Sequence, residues 1–333
     1  MAYKLSIPDR YHKQTLVFKE FPPMKKFAIL FSLISFSVFG QLPFNEDQSS
    51  DVKINTFVYG TFVKPAAPTN SLAIIIPGSG ATDRNGNSQM SRNNSYKKLA
   101  EGLAENGIAS FRYDKRIISL MKKGALQENK LRFDDFVKDA IDAAQYYIDR
   151  GQYSSIYFIG HSQGSLVGMI AAQKVDIQGF VSLCGAGQSI DKTILSQIDL
   201  QMPDLKENAT AAFADLKEKG QVTDYSPSLA SIFRPDVQPF MASWMQYNPR
   251  REIRKLKIPT LIVGGSKDLQ VSTGEAEILK KAKADAEMLI VENMNHVLFN
   301  IQGDNLENTK SYNETGRKIM PEVVTGIATF IKQ

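Results

Sequence analysis

Cysteine is nearly absent from this chain of 333 residues: Cys184 stands alone. No disulfide can form within the chain, so its stability must come from packing. Cys184 follows the apolar run Gly179-Phe180-Val181-Ser182-Leu183 and reads as a buried thiol rather than a reactive one. Histidine is almost as scarce, with three in all, His12, His161 and His296. There is no H-E-x-x-H, and a zinc site would have to rely mostly on carboxylates, so neither metal nor cofactor is expected. Repeats and low-complexity tracts are also lacking, and basic residues form no stripe interleaved with aromatics, which speaks against nucleic acid as a partner. What is present, 43% hydrophobic residues over this length, is enough for a large core in one or two domains.

The chain is basic on paper, with a net charge of +5 and a pI near 9.0. Much of that charge sits near the N-terminus. Met24-Lys25-Lys26 precedes an uncharged apolar run from Phe27 to Gly40. A basic start, a short apolar stretch and small residues before Gln41 predict a signal peptide over residues 24–40, cleaved after Gly40. The run is too short for a comfortable bilayer span, and no cysteine follows it to carry a lipid, so no stable membrane anchor is expected. Residues 1–23 are an odd extension ahead of such a leader, and translation is expected to start at Met24. Residues 1–40 hold six Lys/Arg against two Asp/Glu; removing that surplus of four from +5 leaves a mature chain close to neutral. The expected location is exported, either periplasmic or secreted.

Beyond the leader, Val52 to Val63 alternates like a hairpin at a sheet edge. Apolar strands are then predicted at Ser71–Ile76, Ile108–Tyr113, Ser155–Ile159, Gly179–Leu183, Thr260–Val263 and Met288–Val291. Helical patterns lie between them, notably at Tyr96–Glu105, Phe133–Asp149 and Val323–Ile331. Strands buried on both faces and joined by crossover helices imply a mostly parallel, doubly wound α/β sheet. The rhythm breaks between Gly187 and about Pro249, where helical pieces at Asp191–Ile198, Glu207–Lys219 and Pro239–Tyr247 replace strands. This segment, about residues 187–250, is expected to be a helical cap inserted after the sixth strand of a single domain spanning residues 41–333.

Gly160-His161-Ser162-Gln163-Gly164 sits where an apolar strand turns into a helix. A serine on so tight a corner is held strained with its hydroxyl exposed, and small neighbours two residues either side permit the turn. Such a serine needs a base, and the base needs an acid to fix its tautomer. Asp268 follows the Thr260–Val263 strand and His296 follows the last strand, both at carboxyl ends where such sheets bind ligands. His161 lies inside the elbow and is expected to be packed, leaving His296 as the base. Asp268 is the expected acid, with Glu292 as fallback. The backbone N–H of Gln163 and one from the loop Pro77–Asn87 are expected to hold an oxyanion; Ser79 is the choice there, with Gly80 close behind. A dinucleotide loop is the competing reading of Gly78-x-Gly80, but Asp83 stands where its third glycine belongs. In the cap, Phe240 with Trp244 and Met241 with Met245 fall at helical i,i+4 spacing. Phe240, Met241 and Trp244 are candidates for the substrate pocket, with packing of the cap on the sheet as the alternative.

Taken together these motifs are similar to those of exported bacterial α/β-hydrolase carboxylesterases. The shared features are the loop Gly78-Ser79-Gly80-Ala81-Thr82-Asp83-Arg84-Asn85-Gly86, the run Arg112-Tyr113-Asp114-Lys115-Arg116, the GHSQG elbow, Phe233-Arg234-Pro235 and Gly265-Ser266-Lys267-Asp268. The resemblance implies the α/β-hydrolase fold, a triad of Ser162, Asp268 and His296, and activity on small acyl esters. It departs after Arg116, where Ile117-Ile118-Ser119-Leu120 replaces a glycine-containing segment expected to border the site. The expected function is therefore a serine carboxylesterase acting on short to medium acyl esters, without cofactor. A peptidase, thioesterase or acyltransferase on the same triad is the alternative; a non-catalytic binding protein of the same fold is a further one.

Overall fold

Strands with apolar residues on both faces need helices on both faces, and the computed structural model shows how this chain supplies them. It describes residue 45 and residues 48–333; the leader expected over residues 24–40, and residues 1–23 before it, lie outside the described residues. The chain enters as an antiparallel hairpin, β1 (Ser49–Lys53) and β2 (Tyr59–Val63), followed by β3 (Ser71–Ile76), α1 (Ser95–Glu105) and β4 (Ala109–Tyr113). Next come α2 (Arg116–Lys122), α3 (Phe133–Ile148), β5 (Ser155–His161), α4 (Gln163–Ala171) and β6 (Gly179–Leu183). Five helices then run without a strand: α5 (Ile190–Gln201), α6 (Lys206–Lys219), α7 (Ala230–Phe233), α8 (Gln238–Met245) and α9 (Pro249–Lys255). The sheet resumes with β7 (Thr260–Gly265), α10 (Thr273–Ala282) and β8 (Glu287–Val291), and α11 (Asn305–Ser311) and α12 (Pro321–Ile331) close the chain.

The eight strands lie in the order β1-β2-β4-β3-β5-β6-β7-β8, parallel from β4 through β8. Alternation along β3 divides the core: Leu72, Ile74 and Ile76 join α3 and α4 on one face, while Ala73 and Ile75 join α1 and α12 on the other. Because β4 and β5 flank β3 on opposite sides, the chain reverses its direction of travel there. The carboxyl ends of β3 and β5 thus border the crevice where such sheets place ligands. Among the described residues no helix is long and apolar enough to cross a membrane.

The segment between β6 and β7 has its own small core of Ala209, Ala212, Phe213, Leu216, Phe233 and Met241. It docks on α3 through ring contacts of Phe133 with Trp244 (5.6 Å) and Phe136 with Phe240 (5.4 Å), and through the Phe133 N–H donating to Ser243 Oγ at 2.8 Å. Two helices fall where the residue pattern is mute. On α10 only Ala276 and Leu279 are buried, too few to set a period. On α2 the only buried residue is Arg116, whose guanidinium spans Asp139 (2.8 and 2.7 Å) and Asp135 (2.7 Å) on α3.

Candidate active site

Ser162 stands at the corner between β5 and α4 with φ 53° and ψ −120°, a conformation that side chains with a Cβ seldom adopt. The corner is clamped from both sides. A Cβ on Gly160 would lie 2.3 Å from the carbonyl oxygen of Gly164, and one on Gly164 would lie 2.3 Å from that of Ile76. The Ser162 N–H donates to Leu183 O on β6 at 2.9 Å. Its hydroxyl makes no capping bond and reaches a cavity.

The loops after β7 and β8 bring together the expected acid, Asp268, and the expected base, His296. Asp268 Oδ1 accepts the N–H groups of Gln270 (2.8 Å) and Val271 (2.9 Å), which leaves Oδ2 for the His296 ring at 2.7 Å. A carboxylate only accepts, so Nδ1 of His296 carries the proton and Nε2 is the basic nitrogen of the neutral ring. The His296 loop is tied by buried Asn295, which accepts from Phe299 N and donates to Asn308 and Ser311. Glu292, the fallback acid, is exposed, whereas Asp268 and His296 are both buried.

His161 has a different task. Its Nε2 donates to the carbonyl of His296 at 2.8 Å, so Nδ1 accepts from the Tyr96 hydroxyl at 2.8 Å, which in turn accepts the Gly78 N–H at 3.0 Å. One chain of hydrogen bonds therefore ties the loop after β3 to the backbone of His296. The other side of that loop rests on Lys115, which carried no expectation beyond its place in a motif. Its Nζ donates to Gly78 O at 2.6 Å and to Gln163 Oε1, over the Phe136 ring at 4.3 Å. In a trans peptide C=O and N–H point opposite ways, so gripping Gly78 O sets the direction of the Ser79 N–H. Burial lowers the Lys115 ammonium to about 7. Neither the Ser79 N–H nor the Gln163 N–H has an acceptor among the described residues. The acidic and basic residues of the same loop shape it: Asp83 Oδ1 accepts from Asn85 N and Asn87 N, and Arg84 forks onto Asp114 at 3.0 and 2.9 Å.

Two cavities meet at Ser162. The larger, about 400 Å³, runs under α5 and is walled by Leu166, Ile190, Ile194, Ile198, Ile232 and Trp244 among others. The smaller, about 190 Å³, is walled by His296 and Val297 after β8, by hydroxyl and amide side chains of the segment after β3, by Gln270 and Tyr312, and by the Tyr96 and His161 rings. Ser79, Ser162 and Gln270 border both, and Gln163 borders the larger. Of the three pocket candidates only Trp244 lines either of these two cavities. Phe240 packs between Phe136 and Trp244, and Met241 is buried in the insert's own core. The i,i+4 spacing defines a helix face but not what that face meets. The segment after Arg116, expected to border the site, forms α2 and lines neither cavity, because the Arg116 ion pairs draw it onto α3.

His161, Cys184 and His296 bring nitrogen and sulfur atoms within 4.8 Å of one another, the spacing of a metal cluster. Their bonding argues otherwise. Both His161 nitrogens and the His296 Nδ1 are committed, and the buried Cys184 thiol is held protonated, its ionisation pushed far up by burial and by Asp268.

Burial, reinforced by neighbouring His296, lowers His161 to about 3 from an ordinary 6.5. The unfolded chain takes up a proton as pH falls below 6.5, while the folded chain cannot until about 3, so folding stability falls across that window. Each unit corresponds to about 1.4 kcal/mol. Between pH 7 and pH 4 His161 is expected to remove about 3 kcal/mol of unfolding free energy. Urea unfolding at both pH values checks this: the loss should shrink by most of that amount in His161→Asn, and equal losses in the two proteins would refute it.

A doubly wound sheet with a serine elbow after β5, an insert between β6 and β7, and an aspartate and histidine after the last two strands defines the α/β-hydrolase fold. The chain belongs to the family described as serine aminopeptidase, S33, whose profile matches residues 90–301. It is 23% identical over 261 residues to Esterase EstD of Thermotoga maritima, covering 77% of this chain; the chain spans 61% of that relative's length. Among solved structures it is similar to Est1E from Butyrivibrio proteoclasticus (TM-score 0.54, 16% identity, 86% of this chain and 100% of that one). An esterase from Pyrococcus furiosus is similar as well (TM-score 0.52, 16% identity, 85% and 90%).

Proposed function

We propose that this protein is a serine carboxylesterase in which Ser162, His296 and Asp268 form the triad. The observation that carries the reading is the shared cavity: strained Ser162 and His296 both line the smaller one, and Asp268 holds His296 in the tautomer whose Nε2 can take a proton. Ser162 Oγ bonds to the ester carbonyl carbon as its proton passes to His296 Nε2. The Gln163 and Ser79 amides receive the oxyanion; one such donor is typically worth about 10²–10³ in turnover. As the carbonyl re-forms, the bond to the alcohol oxygen breaks and His296 returns the proton to it. Water then attacks the acyl-enzyme with His296 again as base, releasing the acid and restoring Ser162. The buried Lys115 ammonium behind Gly78 fixes the Ser79 donor before substrate arrives.

The larger cavity supports an apolar acyl group of short to medium length. Among the described residues neither cavity is lined by Asp, Glu, Lys or Arg. A desolvated α-ammonium needs a carboxylate partner, so this lining favours an uncharged ester over a peptide with a free N-terminus, despite the family's description. Export after cleavage near Gly40 remains part of the proposal and rests on the pattern of residues 24–40.

With the purified protein, p-nitrophenyl acetate and butyrate are expected to turn over, and amino-acid p-nitroanilides with free amino groups at least about 100-fold more slowly in kcat/KM. Faster cleavage of the anilides would replace the esterase reading by an aminopeptidase one.

A further inference from the structure

Which cavity receives which half of the ester follows from where the proton must go. A general acid has to lie within hydrogen-bond reach of the leaving oxygen. His296 lines the smaller cavity and is not among the residues bordering the larger one. The alcohol half must therefore sit in the smaller cavity and the acyl half in the larger. The two differ in chemistry. The acyl side sets four isoleucines, Leu166, Met202, Val271 and Trp244 beside five glutamines and Thr193, so it offers a broad apolar surface with an amide fringe. The alcohol side is lined by Thr82, Ser88, Ser91, Asn93, Ser95 and Tyr312, with Val297 as its one aliphatic side chain larger than glycine.

Several of these polar groups keep bonding capacity for a ligand. Tyr312 Oη accepts from Gln270 Nε2 at 3.0 Å and has no acceptor for its own proton among the described residues. Ser79 Oγ and buried Ser95 Oγ have no hydrogen-bond partner among them either. The frame behind them is rigid: Ser91 Oγ donates to Tyr312 O at 3.0 Å, Asn93 Nδ2 donates to Ser91 Oγ at 2.8 Å, and Asn93 Oδ1 accepts Ser95 N at 2.9 Å. A hydrocarbon alcohol placed there would strip water from hydroxyls without replacing its bonds, which is costly. An alcohol bearing further hydroxyls would replace them.

We infer that the smaller cavity is a leaving-group site for a small polyhydroxylated alcohol, a glycerol or sugar unit, so that the substrate is a polyol ester of an apolar acid. This rests on the esterase reading above. The test uses two esters with the same acyl group and the same three-carbon alcohol skeleton, glycerol 1-butyrate and n-propyl butyrate. Each kcat/KM is divided by the ester's hydroxide-catalysed rate to remove intrinsic reactivity. The normalised ratio is expected to favour the glyceryl ester about tenfold or more, and Tyr312→Phe is expected to lower that ratio several-fold. A ratio at or below one, while p-nitrophenyl butyrate is hydrolysed, overturns the inference and leaves the esterase reading standing. No turnover of any ester, with no labelling of Ser162 by a fluorophosphonate, overturns both.

Discussion

Ser162→Ala is expected to lower kcat on p-nitrophenyl butyrate by about 10⁴–10⁶-fold while the protein stays folded. Only the hydroxyl is lost, and among the described residues it makes no capping bond. Alanine carries the same Cβ into the same positive-φ conformation, so the strain at the corner is unchanged and stability should move by less than about 1 kcal/mol. Asp268→Asn is the informative companion. Its Oδ1 could still accept from Gln270 and Val271, which turns the amide NH₂ toward His296. Nδ1 must then accept, the proton moves to Nε2, and the ring faces Ser162 with no lone pair to take its proton. A loss of about 10⁴-fold in kcat is expected with the fold retained. Steady-state kinetics beside circular dichroism of each variant decide the matter. Turnover within tenfold of the parent in Ser162→Ala would remove Ser162 from the reaction.

The inner strands of the sheet were legible because they are covered on both faces. A strand such as Ser71–Ile76 or Gly179–Leu183 then reads as an unbroken apolar run, which few other structures require. The candidate site was legible for a related reason: Ser162 and Asp268 come soon after the buried strands β5 and β7, and His296 comes soon after the apolar run of edge strand β8, so locating the strands locates the loops. Residues whose work depends on partners far along the chain were hidden. Lys115 meets Gly78 and Gln163, which lie 37 and 48 positions away, and no local pattern announces a buried ammonium. Tyr96 looks like one apolar residue on the inner face of α1, yet its hydroxyl joins Gly78 to His161. Phe240 and Met241 show the converse, since helical spacing paired them with Trp244 and Met245 along α8 but the neighbouring elements determined what each one meets.

The elbow also sets a stability prediction of a kind the proposed triad does not. Gly164→Ala is expected to cost about 3–5 kcal/mol of unfolding free energy. The added methyl would lie 2.3 Å from Ile76 O, 2.7 Å from Pro77 O and 2.9 Å from Ile76 C, all of them backbone. No side chain can swing aside, so α4 must move off the end of β3. That displacement would pull at the same time on the Gln163 amide and on the loop held by Lys115, and turnover should fall with stability. Gly274 provides the contrast. It sits in the first turn of α10, where a methyl would meet only Ser272 Oγ at an ordinary 3.5 Å. Gly274→Ala should be neutral or stabilising by up to about 1 kcal/mol, as helix propensity alone dictates. Urea unfolding of the two variants separates crowding at the elbow from the general effect of replacing glycine. A loss below about 1 kcal/mol in Gly164→Ala would mean that the corner can open without cost. The strained serine would then owe its geometry to something other than the close approach of β3 and α4.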